Sequence, residues 1–163
     1  RPIRAGEKDG QSYRFCSAEE RDDLDRRGKI IEMRSYNTVH GRWDYFTVDD
    51  GNIDIKNNNY IVIGTIEAYE KLRDYFGLRQ VVPIYIEIED GVRLSRALER
   101  ERSMTQPRYE EMCRRFLADA EDFSEERQRS AGILKKFMND DLDRCLDEIT
   151  DHIKASEKDD YGY

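Results

Sequence analysis

The sequence predicts an α/β fold with a parallel sheet and a small antiparallel lobe at its N-terminal end. Residues 59–65 and 81–88 are apolar, strand-like runs, each followed by a stretch with helical spacing, and the order strand, helix, strand, helix builds parallel sheets. Residues 29–48 instead place two β-prone segments around a glycine-containing turn, the pattern of an antiparallel hairpin. At 163 residues the chain has the length of one domain and enough of it to bury a core.

Composition narrows the partners. Charged residues make up 39% of the chain and the mean hydropathy is −0.94, so the expected surface is strongly solvated. No run approaches the roughly 18 apolar residues of a membrane span, and the first residues lack a secretory pattern. The expectation is therefore no membrane partner and a cytoplasmic location. A net charge of −8 disfavours a nucleic-acid backbone, which needs a basic face, while local arginine clusters suit a small anion. Cys16, Cys113 and Cys145 are widely spaced and odd in number, and only His40 and His152 accompany them. That argues against a disulfide framework and against a metal site. Composition leaves the oligomeric state open.

The elements follow in order. Residues 17–28 read as a helix with Ser17 as N-cap, Glu20 as its capping-box partner and Gly28 as the stop. Residues 29–36 and 43–48 read as strands around the turn at 37–41, and residues 49–52 close a second turn. A strand at 59–65 precedes a helix at 66–76, where Ala68, Leu72 and Phe76 repeat every four residues. A strand at 81–88 precedes a helix at about 91–102. Pro107 breaks the chain before a helix at 108–123 with Met112, Phe116 and Ala120 on one face. Residues 133–138 form a short strand candidate, and Asn139-Asp140-Asp141 caps a last helix carrying Leu142, Leu146, Ile149 and Ile153, with Asn139 as the N-cap. Residues 155–163 are polar and expected to fray.

The chemistry begins at the first residue. Arg1 and Arg4 precede Gly6-Glu7, Gly10 and Tyr13, so two forked guanidiniums and a phenol stand among glycines that let the backbone fold over a ligand. Planar, bidentate donors of this kind suit one phosphoryl group.

Over nearly its whole length the chain resembles the guanylate kinase family. The segments that carry the resemblance occur in the family's order: Arg1-Pro2-x-Arg4-x-Gly6-Glu7-x-x-Gly10-x-x-Tyr13-x-Phe15; Ile30-Ile31-Glu32 with the following Gly41; Arg96, Arg100 and Arg115; and Asn139-Asp140-Asp141-Leu142. The resemblance implies a three-layer P-loop kinase fold with a parallel sheet, a small antiparallel GMP-binding lobe and a helical lid. It implies transfer of the γ-phosphoryl group of ATP to GMP, giving ADP and GDP, with Mg2+ accompanying ATP. By resemblance Arg1, Arg4 and Tyr13 hold the GMP phosphate, and Glu32 accepts hydrogen bonds from N1–H and the exocyclic amine of guanine, a donor pair that adenine lacks. Arg96, Arg100 and Arg115 meet the ATP phosphates and the transferred group when the lid closes. Asn139 lies beside the adenine of ATP. The implied layout is a domain over 1–154, with the GMP lobe at about 1–55, the core at about 56–93 and 124–154, the lid at about 94–123, and a polar tail at 155–163.

Two stretches depart from the family. Val39-His40-Gly41-Arg42 stands where the family has Tyr-Tyr-Gly followed by Ser or Thr, so His40 is the candidate phosphate donor and Arg42 occupies the place of the small hydroxyl. Ile63-Gly64-Thr65 stands where Asp-x-Asp is usual, which leaves Thr65 to offer a hydroxyl and removes two carboxylates near the metal. The Gly-x-x-x-x-Gly-Lys-Ser/Thr loop that cradles donor phosphates does not occur in these residues. By resemblance that loop, the first strand and its helix belong upstream of Arg1, and without them the chain is expected to have little kinase activity. The rival expectation is a catalytically inactive guanylate-kinase-like module that binds phosphorylated peptides in the GMP pocket. A related kinase for another phosphorylated acceptor is the third.

Overall fold

The computed structural model describes Ile3, residues 6–11, residues 13–38 and residues 41–160. It is a mixed α/β structure in two compact units, Arg1–Val81 and Val82–Tyr163. Among the described residues no helix is long and apolar enough to cross a membrane.

The N-terminal unit opens with α1 (Ala18–Arg26), whose start is the expected capping box: Ser17 Oγ accepts from Glu20 N, and the Glu20 carboxylate accepts from Ser17 N at 2.7 Å. The antiparallel hairpin of β1 (Ile30–Thr38) and β2 (Gly41–Val48) follows. Its register runs from Glu32 opposite Thr47 to Thr38 opposite Gly41, with a bulge between Ile30 and Glu32. Alternation along the strands then sorts the side chains. Glu32, Arg34, Tyr36, Trp43, Tyr45 and Thr47 share one face, while Met33, Ser35, Asp44 and Phe46 share the other.

On the second face Asp44 gathers donors. Ser35 Oγ donates to it at 2.6 Å, Arg42 Nε at 2.8 Å, and Arg21 of α1 closes the cluster through Nη1. This ties α1 to the hairpin. Burial pushes the Asp44 carboxyl up, but the hydrogen bonds from Ser35, Arg42 and Arg21 outweigh that and hold it at about 2.

The helix α2 (Ile66–Phe76) has the expected bounds, begins at Thr65 and packs against β1, burying Ile66, Ala68 and Leu72. The strand expected before it does not form. Residues 59–65 make no ladder, and Ile61 and Ile63 are 91% and 95% exposed. An apolar, β-branched run becomes a strand only when another strand takes its backbone N–H and C=O groups, and no described strand does so here.

In the C-terminal unit β3 (Tyr85–Glu87) pairs in parallel with β4 (Lys136–Met138), so a parallel pair is present, but it joins short pieces of 81–88 and 133–138 and does not include the strand expected at 59–65. Between them lie α3 (Asp90–Arg102), α4 (Tyr109–Asp122) and α5 (Glu125–Ser130). Arg93 of α3 stacks 4.1 Å from the centre of the Phe116 ring of α4, and the Glu101 carboxylate takes the backbone N–H of Arg108, so the two helices form a hairpin. The core holds Phe137, Ala131, Ile133, Cys145 and Gln128, whose Nε2 donates to Tyr85 Oη at 3.0 Å.

The last helix, α6 (Leu142–Asp160), continues beyond the point where fraying was expected. Its cap is Asp141, whose carboxylate accepts Arg144 N at 2.9 Å, and not Asn139 as the sequence suggested. In a run of three capping-type residues the one immediately before the first helical residue reaches the N3 amide. Cys16 and Cys113 are exposed and Cys145 is buried, with no disulfide among them.

Asp44 provides a pH-sensitive test of the hairpin. A carboxyl depressed from 3.8 to about 2 contributes stability above the ordinary value and loses it as pH falls through the depressed one. Asp44→Asn should lower the unfolding free energy of the N-terminal unit by about 1–2 kcal/mol near neutral pH. In urea denaturation that deficit should shrink between about pH 4 and pH 2; a deficit constant over the range contradicts the assignment.

Candidate functional site

The hairpin face opposite the Asp44 cluster carries Glu32, and Glu32 is 3% exposed. A carboxylate taken out of water is tolerated when its oxygens are met. Thr47, directly across the ladder, donates Oγ1 to Oε1 at 2.8 Å, and Arg34, two residues along the same strand, donates Nε to Oε2 at 3.1 Å. These bonds use two of roughly four acceptor positions of a carboxylate. The remaining capacity belongs to a side chain almost wholly withdrawn from solvent.

An aromatic wall continues the same face. Tyr36 and Tyr45 meet edge to face at 5.9 Å, and Tyr13 meets Tyr45 at 5.7 Å. Tyr13 is brought there by a tightly folded loop. Gly6 and Gly10 have φ of +85° and +80°, values that glycine adopts without strain. Gly10 N donates to Tyr13 O at 2.8 Å, Asp9 accepts Phe15 N at 2.6 Å, and Arg14 reaches Asp50 at 3.2 Å after β2. Thus Tyr13 and Glu32, 19 positions apart in sequence, flank one surface.

The other residues singled out in this unit divide. Arg42 is not brought to this face: it donates Nε to Asp44 and Nη2 to Ser35 Oγ at 2.9 Å on the other side of the hairpin. Alternation from Glu32 decides this, since Arg42 pairs with Asn37, an odd number of positions from Glu32. Thr65 is the N-cap of α2, its Oγ1 accepting Ala68 N at 3.4 Å. Arg1, Arg4 and His40 lie outside the described residues.

In the C-terminal unit Arg96 of α3 donates Nη1 to the backbone oxygen of Asn139 at 3.1 Å, so two of the candidate donor-nucleotide residues are in direct contact. Asn139 N in turn donates to Glu87 O at 2.8 Å, fixing the segment at the end of the parallel pair. Arg100 lies one turn beyond Arg96 on α3. Arg115 of α4 donates Nε to Glu111 at 2.9 Å, and Arg114 shares that carboxylate. The hydrogen bonds from Arg114 and Arg115 lower the Glu111 carboxyl to about 2. Among the described residues no three His, Cys, Asp or Glu side chains come together as a metal site.

Sequence reasoning missed Arg34, Thr47, Tyr36 and Tyr45. Alternation from Glu32 along β1 points to Arg34 and Tyr36, whereas Thr47 and Tyr45 require the hairpin register.

Thr47→Val should leave Oε1 of buried Glu32 without its donor and cost about 1–3 kcal/mol in denaturant unfolding, whereas Thr47→Ser should recover most of the loss. Equal stability of the valine variant would show that the hydroxyl is dispensable to the carboxylate. No family model matches the chain, and no curated protein matches it.

Proposed function

We propose that the hairpin face around Glu32 is the base-recognition site of a guanylate kinase-type enzyme with a P-loop kinase fold, a GMP lobe and a helical lid. The observation that carries the reading is a buried carboxylate, held from two sides by its own hairpin, on the face that also bears Tyr13. Guanine offers N1–H and an exocyclic amine to such a carboxylate, and adenine offers no equivalent pair. Rejection follows from the cost of leaving a desolvated carboxylate unmatched.

In this reading Tyr13, with Arg1 and Arg4, holds the acceptor phosphate, and an oxygen of that phosphate attacks the γ-phosphorus of ATP. The bond to the β–γ bridging oxygen breaks and ADP leaves. Catalysis is largely positioning and charge neutralisation, which suits Arg96, Arg100 and Arg115 on a helical hairpin. Arg115 would exchange Glu111 for phosphate oxygens as the lid engages. Asn139, adjoining Arg96, would take the adenine side of ATP. In this reading Mg2+ would arrive on the ATP phosphates, the common mode for that metal.

Calorimetry of this chain with GMP and with AMP tests the reading. GMP should bind at least about tenfold more tightly than AMP, and Glu32→Gln should abolish the preference, because an amide replaces one acceptor by a donor. Equal binding of both nucleotides removes Glu32 as a base selector. Binding of a phosphopeptide in place of GMP points to the peptide-binding module.

A further inference from the structure

We propose that Arg34 is the gate of the Glu32 site: its guanidinium covers the carboxylate in the free protein and must withdraw before a base can pair with it. The inference rests on the base-recognition reading above and deepens it.

The Glu32 side chain is only 2% exposed, so no ligand edge can reach its oxygens while the surrounding groups stay where they are. Two groups are bonded to it, and they differ in mobility. Thr47 holds Oε1 with a short β-branched side chain on the facing strand, whose χ1 is restricted. Arg34 holds Oε2 through Nε alone, on a long, rotatable side chain that is 20% exposed, more than the carboxylate it meets. Of the two, Arg34 can leave without disturbing the ladder. Its departure exposes Oε2 while Thr47 keeps the carboxylate oriented.

The guanidinium also imitates the ligand, since it presents an N–H donor to the oxygen that a guanine edge would use. Arg34 is thus an internal competitor. A ligand that binds only the uncovered form has its affinity reduced by the fraction of protein in that form, and removing the competitor restores it. Adenine gains nothing from the uncovering because it has no donor pair for the freed oxygen.

Stopped-flow and calorimetric binding of GMP and AMP to the wild-type chain, Arg34→Ala and Glu32→Gln/Arg34→Ala test the gate. Arg34→Ala should bind GMP about tenfold more tightly, through faster association, with AMP unchanged and the gain abolished in the double variant. Arg34→Gln, which keeps a donor without the charge, should move in the same direction by less and serves if the alanine variant does not fold. If the wild-type chain prefers GMP through Glu32 while both Arg34 variants associate with it no faster, the gate is overturned and the base site stands. If neither the wild-type chain nor an Arg34 variant prefers GMP to AMP, both the base site and the gate are overturned.

Discussion

The carboxylate of Glu32 costs free energy to remove from water, and the N-terminal hairpin is arranged so that this cost is met locally. Thr47 stands opposite it in the ladder, so that bond depends on the register, while Arg34 meets it from two residues along the same strand. A slip of a single residue would turn Glu32 to the other face and bring it toward Asp44, setting two carboxylates side by side. The Asp44 cluster resists that slip, because Ser35 of the facing strand meets Asp44 only in the observed register, while Arg42 of the same strand and Arg21 of α1 complete the partners of the carboxylate. The two faces therefore support each other: one fixes the pairing, and the other holds a buried acceptor beside Tyr13 and Tyr45. The bulge just before Glu32 adds to the local definition of where that side chain emerges.

Local signals in the sequence were legible where the determinants are local. Ser17 and Glu20 announced the start of α1, and the four-residue spacing of Ala68, Leu72 and Phe76 marked the apolar stripe of α2, whereas Thr65, read as a ligand hydroxyl, is the cap of that helix. The hairpin was legible from its turn and its β-prone flanks. What was not legible depends on partners or on register. Residues 59–65 have strand composition but no strand beside them, and Asn139 looked like a cap until Asp141 proved nearer to the first helical amides. Arg42 was assigned to the site because it stands where the resembled family has a small hydroxyl, yet strand parity sends it to Asp44. Arg34 and Thr47, which handle the charge of Glu32, carry no motif of their own. They become visible once alternation and cross-strand pairing are followed from Glu32.

The C-terminal unit applies the same economy to positive charge. Arg93 stacks on the Phe116 ring and pairs with Asp90 while its Nε is buried without an acceptor among the described residues, Arg96 meets the backbone of Asn139, and Arg115 meets Glu111, so three of the arginines on the helical hairpin already have partners. These contacts differ in how readily they exchange. The Arg115–Glu111 pair is a one-turn contact on an exposed helix surface, where ion pairs contribute little and are easily traded for a more highly charged anion. The Arg96 contact joins α3 to the segment that follows β4, near the buried Phe137, and so couples an arginine to the core of the unit. In the proposed reading the Arg115 contact would let go as phosphate arrives and the Arg96 contact would stay in place.

Carbon-detected NMR of the Glu32 side-chain carboxyl during nucleotide addition reports on the acceptor itself. Base recognition by Glu32 predicts that GMP shifts this resonance together with the Arg34 Nε–H signal, that AMP leaves both in place, and that the Asp44 carboxyl on the opposite face does not respond to either. Saturable GMP binding with the Glu32 carboxyl and Arg34 Nε–H unmoved would contradict it.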